Sequence, residues 1–144
     1  METSFSLDPR LQEDTLALGD LPLCRLLWMR DANYPWAILV PRRESMTEIY
    51  QLAEVDQWQL QEESSALAAW MAGFFDADKM NVANLGNIVA QLHVHHIVRC
   101  ENDPAWPAPV WGKLPAKPYG EGELDKLRNR MVPALQKKLG LIPC

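Results

Sequence analysis

The first part of the chain alternates apolar runs with polar breaks, a pattern typical of strands that are joined by short turns. Residues 23–29 are apolar at all but one position, and residues 36–40 are apolar throughout. Residues 30–35 separate the two runs with Asp, Asn and Pro, which favour a turn. Two apolar runs joined by a short polar turn predict an antiparallel hairpin. We expect the whole segment 5–41 to be strand-like.

A different spacing follows, in which apolar residues recur every three or four positions. Leu67, Trp70, Met71 and Phe74 would share one face of a helix over about residues 57–75. We expect this face to pack in the core. Two pairs of residues have the spacing of a capping box and predict helix starts: Ser45 with Glu48, and Asp56 with Gln59.

Strand-like sequence returns after this helix. Residues 79–85 form a short run, Gly86 and Asn87 interrupt it, and residues 88–98 are again rich in strand-forming residues. Together with the hairpin, these runs predict an antiparallel sheet of about five strands, because the connections are short. A sheet with one long helix packed on it belongs to the α+β class.

The last part of the chain begins with a proline-rich stretch and ends with a helical pattern. Three prolines within residues 104–109 exclude a central strand or a helix there, and Trp106 and Trp111 indicate a rigid loop that docks on the rest of the molecule. An apolar stripe then predicts a C-terminal helical segment over about residues 121–140. Pro133 should kink this segment or divide it into two short helices.

Composition is that of one small domain. The chain has 144 residues, of which 48% are hydrophobic, and this is enough to form a core without cross-links. We expect a single domain over residues 1–144, with its core at about residues 5–112 and the C-terminal helical segment as an extension. Three cysteines without a CxxC pair argue against a zinc finger and against a disulfide framework.

Charge and hydropathy exclude two classes of partner. The 14 basic and 19 acidic residues give a formal net charge of −5, which argues against binding of a nucleic-acid polymer but allows a local phosphate site. Residues 1–20 lack the basic start and apolar stretch of a secretory signal. No apolar run approaches the roughly 20 residues that cross a bilayer. We therefore expect a soluble, cytoplasmic protein that does not associate with a membrane.

All three histidines lie within residues 91–99, QLHVHHIVR. Strand side chains alternate between faces, so Gln91, His93 and His95 should share one face and His96 should point to the other. Such a row has three interpretations. It suits catalysis at phosphorus, where a neutral imidazole attacks and a neighbour holds the oxygens. It also suits a metal ion, or simply a solvated polar face.

The metal interpretation needs ligands beyond His93 and His95. Cys24 and Cys100 are the candidates that the sequence offers. If the strand continues, Cys100 lies on the face opposite His95, because the two positions are five residues apart.

The segment 86–99, GNIVAQLHVHHIVR, resembles the motif of the histidine triad (HIT) superfamily of nucleotide hydrolases and transferases. That motif alternates three histidines with apolar residues, follows a phosphate-binding turn and is followed by an arginine, here Arg99. In this register the triad positions are Gln91, His93 and His95. A glutamine therefore replaces the first triad histidine.

The resemblance extends over roughly residues 23–111, and the segment 103–112 is similar to a proteobacterial branch of small HIT proteins. It implies an α+β fold and a homodimer that joins two sheets. It also implies a nucleotide substrate, and a chemistry that requires no metal ion and no other cofactor.

By the same resemblance, His93 is the nucleophile, which attacks the α-phosphorus of a nucleoside phosphate ester, anhydride or phosphoramidate. A covalent nucleotidyl-histidine forms, and water releases it. A backbone carbonyl would orient the His93 ring from its other nitrogen. His95 would donate to a non-bridging oxygen or to the leaving group, and Gln91 would take the remaining triad place.

Four further positions match substrate-contacting positions of the family. The resemblance gives Asn87 a bond to the α-phosphate and gives Gly86 a close backbone approach to it. Asp31, with Asn33 as second choice, would accept from the ribose hydroxyls. Because Gln91 does not titrate, a catalytically weak nucleotide-binding module is an alternative to an enzyme, and a metal protein that uses His93 and His95 is a third.

Overall fold

The computed structural model describes residues 5–144, and within them it contains a six-stranded sheet and three α-helices. The helices are α1 (Pro9–Asp14), α2 (Glu54–Phe74) and α3 (Glu123–Leu139). A short 3-10 helix lies at Ile49–Gln51. The strands are β1 (Thr15–Asp20), β2 (Cys24–Met29), β3 (Trp36–Pro41), β4 (Lys79–Asn84), β5 (Val94–Arg99) and β6 (Ile142–Pro143).

The sheet is antiparallel throughout, in the order β4-β5-β3-β2-β1-β6. The predicted hairpin is β2 and β3, which pair from Cys24 with Pro41 to Trp28 with Ala37. The predicted α+β class is confirmed. One strand more than the expected five is present, because the two-residue β6 adds to the edge at β1.

Each face of the sheet is covered by different parts of the chain. One face, which we call the helix face, packs against α2 and α3 around Leu67 and Met131. The other, which we call the loop face, packs against α1 and the loop at residues 105–110. Alternation along β3 sends Leu39 to the helix face and Ile38 to the loop face.

The expectation that residues 5–41 are strand-like throughout is wrong at α1. Asp8 caps this helix by accepting a hydrogen bond from the Arg10 N–H, and Pro9 occupies its first turn. A helix of six residues is less than two turns long, so it shows no apolar periodicity that could separate it from the strand that follows.

The two predicted capping boxes do not begin helices. Ser45 adopts a left-handed conformation with φ of 61°. The capping box forms instead between Glu48 and Gln51, around the 3-10 helix. The long helix is present, but it starts at Glu54, and Asp56 lies inside its first turn.

The predicted start of the last long strand and the predicted division of the C-terminal helix are both wrong. The strand that we expected over residues 88–98 begins only at Val94, and residues 85–93 form an irregular loop. The division at Pro133 does not occur, because α3 is one helix that ends at Gly140. Pro133 leaves the Asn129 carbonyl without its helical N–H partner, and both residues lie on the exposed side of α3, while Met131 and Leu135 anchor the helix in the core.

In the part of the chain that the structure describes, no helix combines the length and the hydropathy that a membrane span requires. The expectations for residues 1–4 lie outside the described residues.

Candidate active site

β5 places His95 and His96 on opposite faces of the sheet, because successive side chains of a strand point in opposite directions. His95 lies with Ile97 on the loop face, and His96 lies with Val94 and Val98 on the helix face. The predicted separation of these two histidines is therefore present in the structure.

His93 lies one residue before β5 and is held through its Nδ1 atom. That nitrogen is 2.6 Å from the carbonyl oxygen of Gln91. A carbonyl oxygen only accepts hydrogen bonds, so Nδ1 carries the proton and donates it. In the neutral ring, Nε2 of His93 then keeps a free lone pair, which is the state that a nucleophilic imidazole needs.

His95 has the opposite arrangement. The indole Nε1–H of Trp36 donates to Nδ1 of His95 over 2.9 Å. An indole nitrogen only donates, so Nδ1 of His95 accepts, and the single proton of the neutral ring is on Nε2. No hydrogen bond engages this Nε2 atom within residues 5–144, so the N–H group is available to a ligand.

The His93 and His95 rings stand side by side, with centroids 4.9 Å apart and planes inclined by 72°. One ring has an acceptor at Nε2 and the other has a donor there. Such a pair can attack an electrophilic centre and, at the same time, hydrogen-bond an oxygen attached to it.

Burial also fixes the charge of His95. Burial, followed by the neighbouring His93 and His96 rings, lowers the pKa of this ring to about 3. His95 is 6% exposed. The ring is therefore neutral near neutral pH, and it can donate a hydrogen bond without being a cation.

The loop after β5 places a tryptophan against this pair. The Trp111 ring centroid is 5.0 Å from that of His95 and 5.8 Å from that of Trp36. Arg99, at the end of β5, holds the loop by donating to the Asp103 carboxylate and to a backbone carbonyl. Trp111 is 38% exposed, so it covers one side of His95 and still faces solvent.

His96 is packed between the sheet and α2. Its Nδ1 lies 3.1 Å from the Val94 carbonyl oxygen, and its Nε2 lies 2.7 Å from the hydroxyl of Ser64 on α2. Burial lowers the pKa of His96 to about 4, while its backbone hydrogen bonds act in the opposite direction.

The Gln91 side chain contacts the N-terminal segment. Gln91 lies three residues before β5, in the irregular loop. Its side-chain amide donates to the Ser6 carbonyl and accepts from the Asp8 N–H. Gln91 therefore fixes the N-terminal segment with its side chain and His93 with its backbone carbonyl.

Gly86 and Asn87 lie in the irregular loop before β5. Gly86 has a φ of 138°, a conformation that residues with a side chain rarely adopt. Asn87 is exposed, and its side chain forms no hydrogen bond with other residues in the range 5–144. The Asn87 amide is therefore accessible to a ligand.

Asp31 and Asn33 contact the C-terminal segment that precedes α3. Asp31 is 5% exposed, and its Oδ1 accepts from the backbone N–H groups of Asn33 and Lys117. The Asn33 side chain donates to the Pro115 carbonyl over 3.1 Å. Within residues 5–144, no hydrogen bond or ring contact joins Asp31 or Asn33 to the histidines.

A metal site is not assembled around the histidines. In the range 5–144, no group of three or more His, Cys, Asp or Glu side chains could hold a metal ion. Cys24 is fully buried, and burial followed by the charge of Glu63 raises the pKa of its thiol, which disfavours the thiolate that binds metals. Nδ1 of His95 is also occupied by Trp36.

Sequence reasoning missed Trp36 and gave Trp111 only a docking role. Trp36 lies on β3, which is the neighbour of β5, and Ile38 pairs with His95. The diagonal position across two strands therefore brings Trp36 to His95. A sequence that does not reveal which strands are neighbours gives no signal for this contact.

The sequence was compared with models of known protein families, with curated proteins and with solved structures. The family model that matches is the HIT domain, over residues 10–102. No curated protein matches the chain significantly.

Three solved structures have similar sequences and folds. A histidine triad protein from Marinobacter aquaeolei is 50% identical, with a TM-score of 0.89, and the match covers 93% of this chain and 98% of that one. A histidine triad protein from Bradyrhizobium japonicum is 45% identical, with a TM-score of 0.86 and coverages of 94% and 98%. One from Sinorhizobium meliloti is 43% identical, with a TM-score of 0.88 and coverages of 92% and 98%.

Proposed function

This chain belongs to the HIT domain family, and from that premise we propose that it is a nucleotide hydrolase or nucleotidyl transferase that reacts at an α-phosphate. Membership of the family indicates activity on nucleotides in general terms. The observation that supports the finer proposal is the pair of opposite ring states, with an acceptor at Nε2 of His93 and a donor at Nε2 of His95, in rings whose centroids are 4.9 Å apart.

In the first step, the Nε2 lone pair of His93 forms a bond to the α-phosphorus. The bond from phosphorus to the leaving oxygen or nitrogen breaks, the leaving group takes the electron pair, and a leaving nitrogen also takes a proton from solvent. The Nδ1–H group of His93 keeps its bond to the Gln91 carbonyl, which supports the positive charge that the ring acquires. The substrate is a nucleoside phosphate ester, an anhydride such as a dinucleoside polyphosphate, or a phosphoramidate.

His95 stabilises the transition state by donating from Nε2 to a non-bridging oxygen. This donor is held in place before the reaction, so it costs no reorganisation as charge develops. Removal of one such donor typically costs on the order of 3 kcal/mol in the barrier.

In the second step, water attacks the phosphorus of the nucleotidyl-His93 adduct. The P–N bond breaks, its electron pair returns to Nε2, and the water proton is released to solvent with the nucleoside monophosphate. When another nucleophile takes the place of water, the same adduct gives a transferase.

The substrate-binding roles of the remaining positions are part of the proposal. Gly86 and Asn87 lie in the loop that leads to His93, where an exposed amide suits an α-phosphate oxygen. Asp31 already accepts from two N–H groups, and a carboxylate has further lone pairs for ribose hydroxyls. Asn33 adds an amide at the same turn.

We also propose that the protein is a homodimer, in keeping with the family resemblance. β4 is an edge strand, since only β5 pairs with it among the described residues. Val82 on this strand is 50% exposed, and Ile88 in the following loop is 81% exposed. Open backbone groups beside exposed apolar side chains suit pairing with a second copy. A cytoplasmic location and the absence of nucleic-acid polymers as partners stay predictions.

The test of the enzymatic proposal is turnover of adenine dinucleoside polyphosphates and adenosine phosphoramidates by wild-type protein and by His93→Ala. We expect wild-type turnover and its loss in His93→Ala. His96→Asn is the matched control, because His96 lies on the other face and Asn can replace its Nδ1–H donor.

Two outcomes separate the alternatives. Nucleotide binding by calorimetry without turnover would support a binding module and contradict the enzyme. Turnover that is undiminished in His93→Ala would contradict the role of His93.

A further inference from the structure

We propose that Trp36 is a positioning residue whose indole N–H fixes His95 as a neutral ring that donates from Nε2, so that His95 gives the substrate a hydrogen bond but no proton. The catalytic part of this inference rests on the proposed function. The ring state of His95 does not, because it follows from the contact with Trp36 alone.

The hydrogen bond between Trp36 and His95 can have only one direction, from the indole N–H to Nδ1 of His95. The two nitrogens are 2.9 Å apart, and the side chains are 5% and 6% exposed. The indole has no acceptor lone pair, so a proton on Nδ1 of His95 would face another N–H group in a buried place. The contact therefore selects the form of His95 that carries its proton on Nε2.

Rigid neighbours hold the indole in this direction. Trp36 is the first residue of β3, and its ring meets Tyr34 and Trp111 edge-on, with centroids 6.3 and 5.8 Å away. The Arg99 guanidinium lies over the Tyr34 ring at 5.7 Å. The donor is thus directed by packing as well as by the strand.

Among residues 5–144, no acidic side chain is a cause of the pKa shift of His95 or favours its cation. The titratable groups nearest to it are His93, with centroids 4.9 Å apart, and the adjacent His96, and both oppose a positive charge. From the other elements, the rings that face His95 belong to Trp36 and Trp111, which do not titrate. His95 therefore has no stabilised cationic form from which to act as an acid.

This ring state limits the chemistry of His95. If it passed its Nε2 proton to a leaving group, it would be left as an imidazolate, a strong base in a buried site. Its contribution is therefore a hydrogen bond to oxygen. The leaving groups that fit are those that depart as stable anions.

The test uses long-range proton–nitrogen correlation spectra of the histidine rings, which distinguish a protonated from an unprotonated ring nitrogen. In wild-type protein at neutral pH, we expect an unprotonated, hydrogen-bonded Nδ1 and a protonated Nε2 for His95. A protonated Nδ1 would overturn the proposal, whether or not the protein turns over nucleotides.

Two variants separate the hydrogen bond from packing. Benzothienylalanine at position 36 keeps the bicyclic ring and lacks the N–H group, and Trp36→Phe removes both. We expect the His95 signals to shift toward a mixture of the two ring states in each variant. Trp58→Phe is the control, because Trp58 is 70% exposed on α2 and should leave the His95 signals unchanged.

The kinetic constants distinguish a positioning role from a purely structural one, because only the positioning role predicts a lower kcat with a nearly unchanged KM. With benzothienylalanine at position 36, we expect kcat to fall at least about tenfold, as for other groups that orient a reactive imidazole, and KM to change much less. Unchanged kcat with altered His95 signals would overturn the catalytic part. If the spectra agree and no variant or wild type shows turnover, only the proposed function fails.

Discussion

At the scale of single residues, His93 and His95 have the same side chain and different partners, and the partners assign their roles. A backbone carbonyl accepts a hydrogen bond from Nδ1–H of His93, whereas an indole N–H donates one to Nδ1 of His95. In two rings whose centroids are 4.9 Å apart, Nε2 of His93 consequently carries a lone pair and Nε2 of His95 carries a proton that it can donate. The two roles, nucleophile for His93 and hydrogen-bond donor for His95, require neither a third histidine nor a metal ion. A glutamine at position 91 is therefore compatible with the proposed reaction.

Leaving-group preference follows from the state of His95. Because His95 donates a hydrogen bond and keeps its proton, leaving groups that depart as anions should react faster than those that must be protonated. We expect a larger kcat/KM for a diadenosine polyphosphate than for an adenosine phosphoramidate of an alkyl amine, by at least about tenfold. The measurement is steady-state kinetics at pH 7, and an equal or reversed preference would contradict the prediction.

The sequence was sufficient for the histidines but not for their partners. The spacing of His93 and His95 and the position of Arg99 identify the motif without any structure. Trp36 becomes relevant only when β3 and β5 are neighbours, and strand order depends on packing of the whole sheet. Likewise, the contact of Gln91 with the N-terminal segment joins residues that are far apart in sequence.

At the scale of elements, β5 and the loop that follows it are joined by one buried guanidinium. Arg99 is 2% exposed, and it donates to Asn81, to the Asp103 carboxylate and to the Ala108 carbonyl. This places the loop, and with it Trp111, on the loop face of the sheet beside His95.

Arg99→Met should therefore destabilise the protein strongly. It removes the guanidinium that pairs with the Asp103 carboxylate and leaves this carboxylate with backbone N–H partners only. Breaking such a buried ion pair costs about 3–5 kcal/mol. The free energy of unfolding from urea denaturation measures this effect. Arg128→Met is the control, because Arg128 is exposed on α3 and should change stability by less than about 0.5 kcal/mol. Equal stability of the two variants would contradict the anchoring role.

Elements of ordinary length were predictable and short ones were not. The hairpin of β2 and β3 and the long α2 follow from periodicity over many residues. The six-residue α1 and the two-residue β6 are too short to produce a periodic signal. The late start of β5 was also missed, because loop residues 88–93 include apolar residues that resemble a strand.

At the scale of the whole molecule, two buried neutral histidines link folding to pH. Burial lowers the pKa of His95 to about 3 and that of His96 to about 4. The unfolded chain therefore binds more protons below its ordinary histidine pKa than the folded chain does. The stability that these groups contribute is complete above about pH 6.5 and is lost as the pH falls toward the folded pKa values.

Stability should consequently decline on mild acidification. Below about pH 6.5, each of the two histidines destabilises the protein by up to about 1.4 kcal/mol per pH unit. Urea denaturation at a series of pH values tests this, and His96→Asn should show a shallower decline than wild type. A flat profile between about pH 6.5 and about pH 5 would contradict the neutral, buried state of both rings.

The proposed homodimer makes a prediction at the same scale. Ile88→Glu should weaken assembly, because a charge would be placed beside the open edge of β4. Ile142→Glu is the matched control, since Ile142 is 71% exposed on β6 at the opposite edge of the sheet. Light scattering coupled to size exclusion gives the mass in solution. A monomeric wild type, or dimers that persist unchanged in Ile88→Glu, would contradict this assignment of the interface.

A covalent bond between His93 and the α-phosphate can be detected by rapid quenching during turnover in denaturant at alkaline pH, where the P–N bond of the adduct survives. Intact-mass and peptide mass spectrometry of the quenched protein should show one nucleotidyl group on the peptide that contains His93. The group should be absent from His93→Ala and present in His96→Asn. Turnover by wild-type protein with no adduct at any quench time, or with an adduct on another residue, would contradict the role of His93 as the nucleophile.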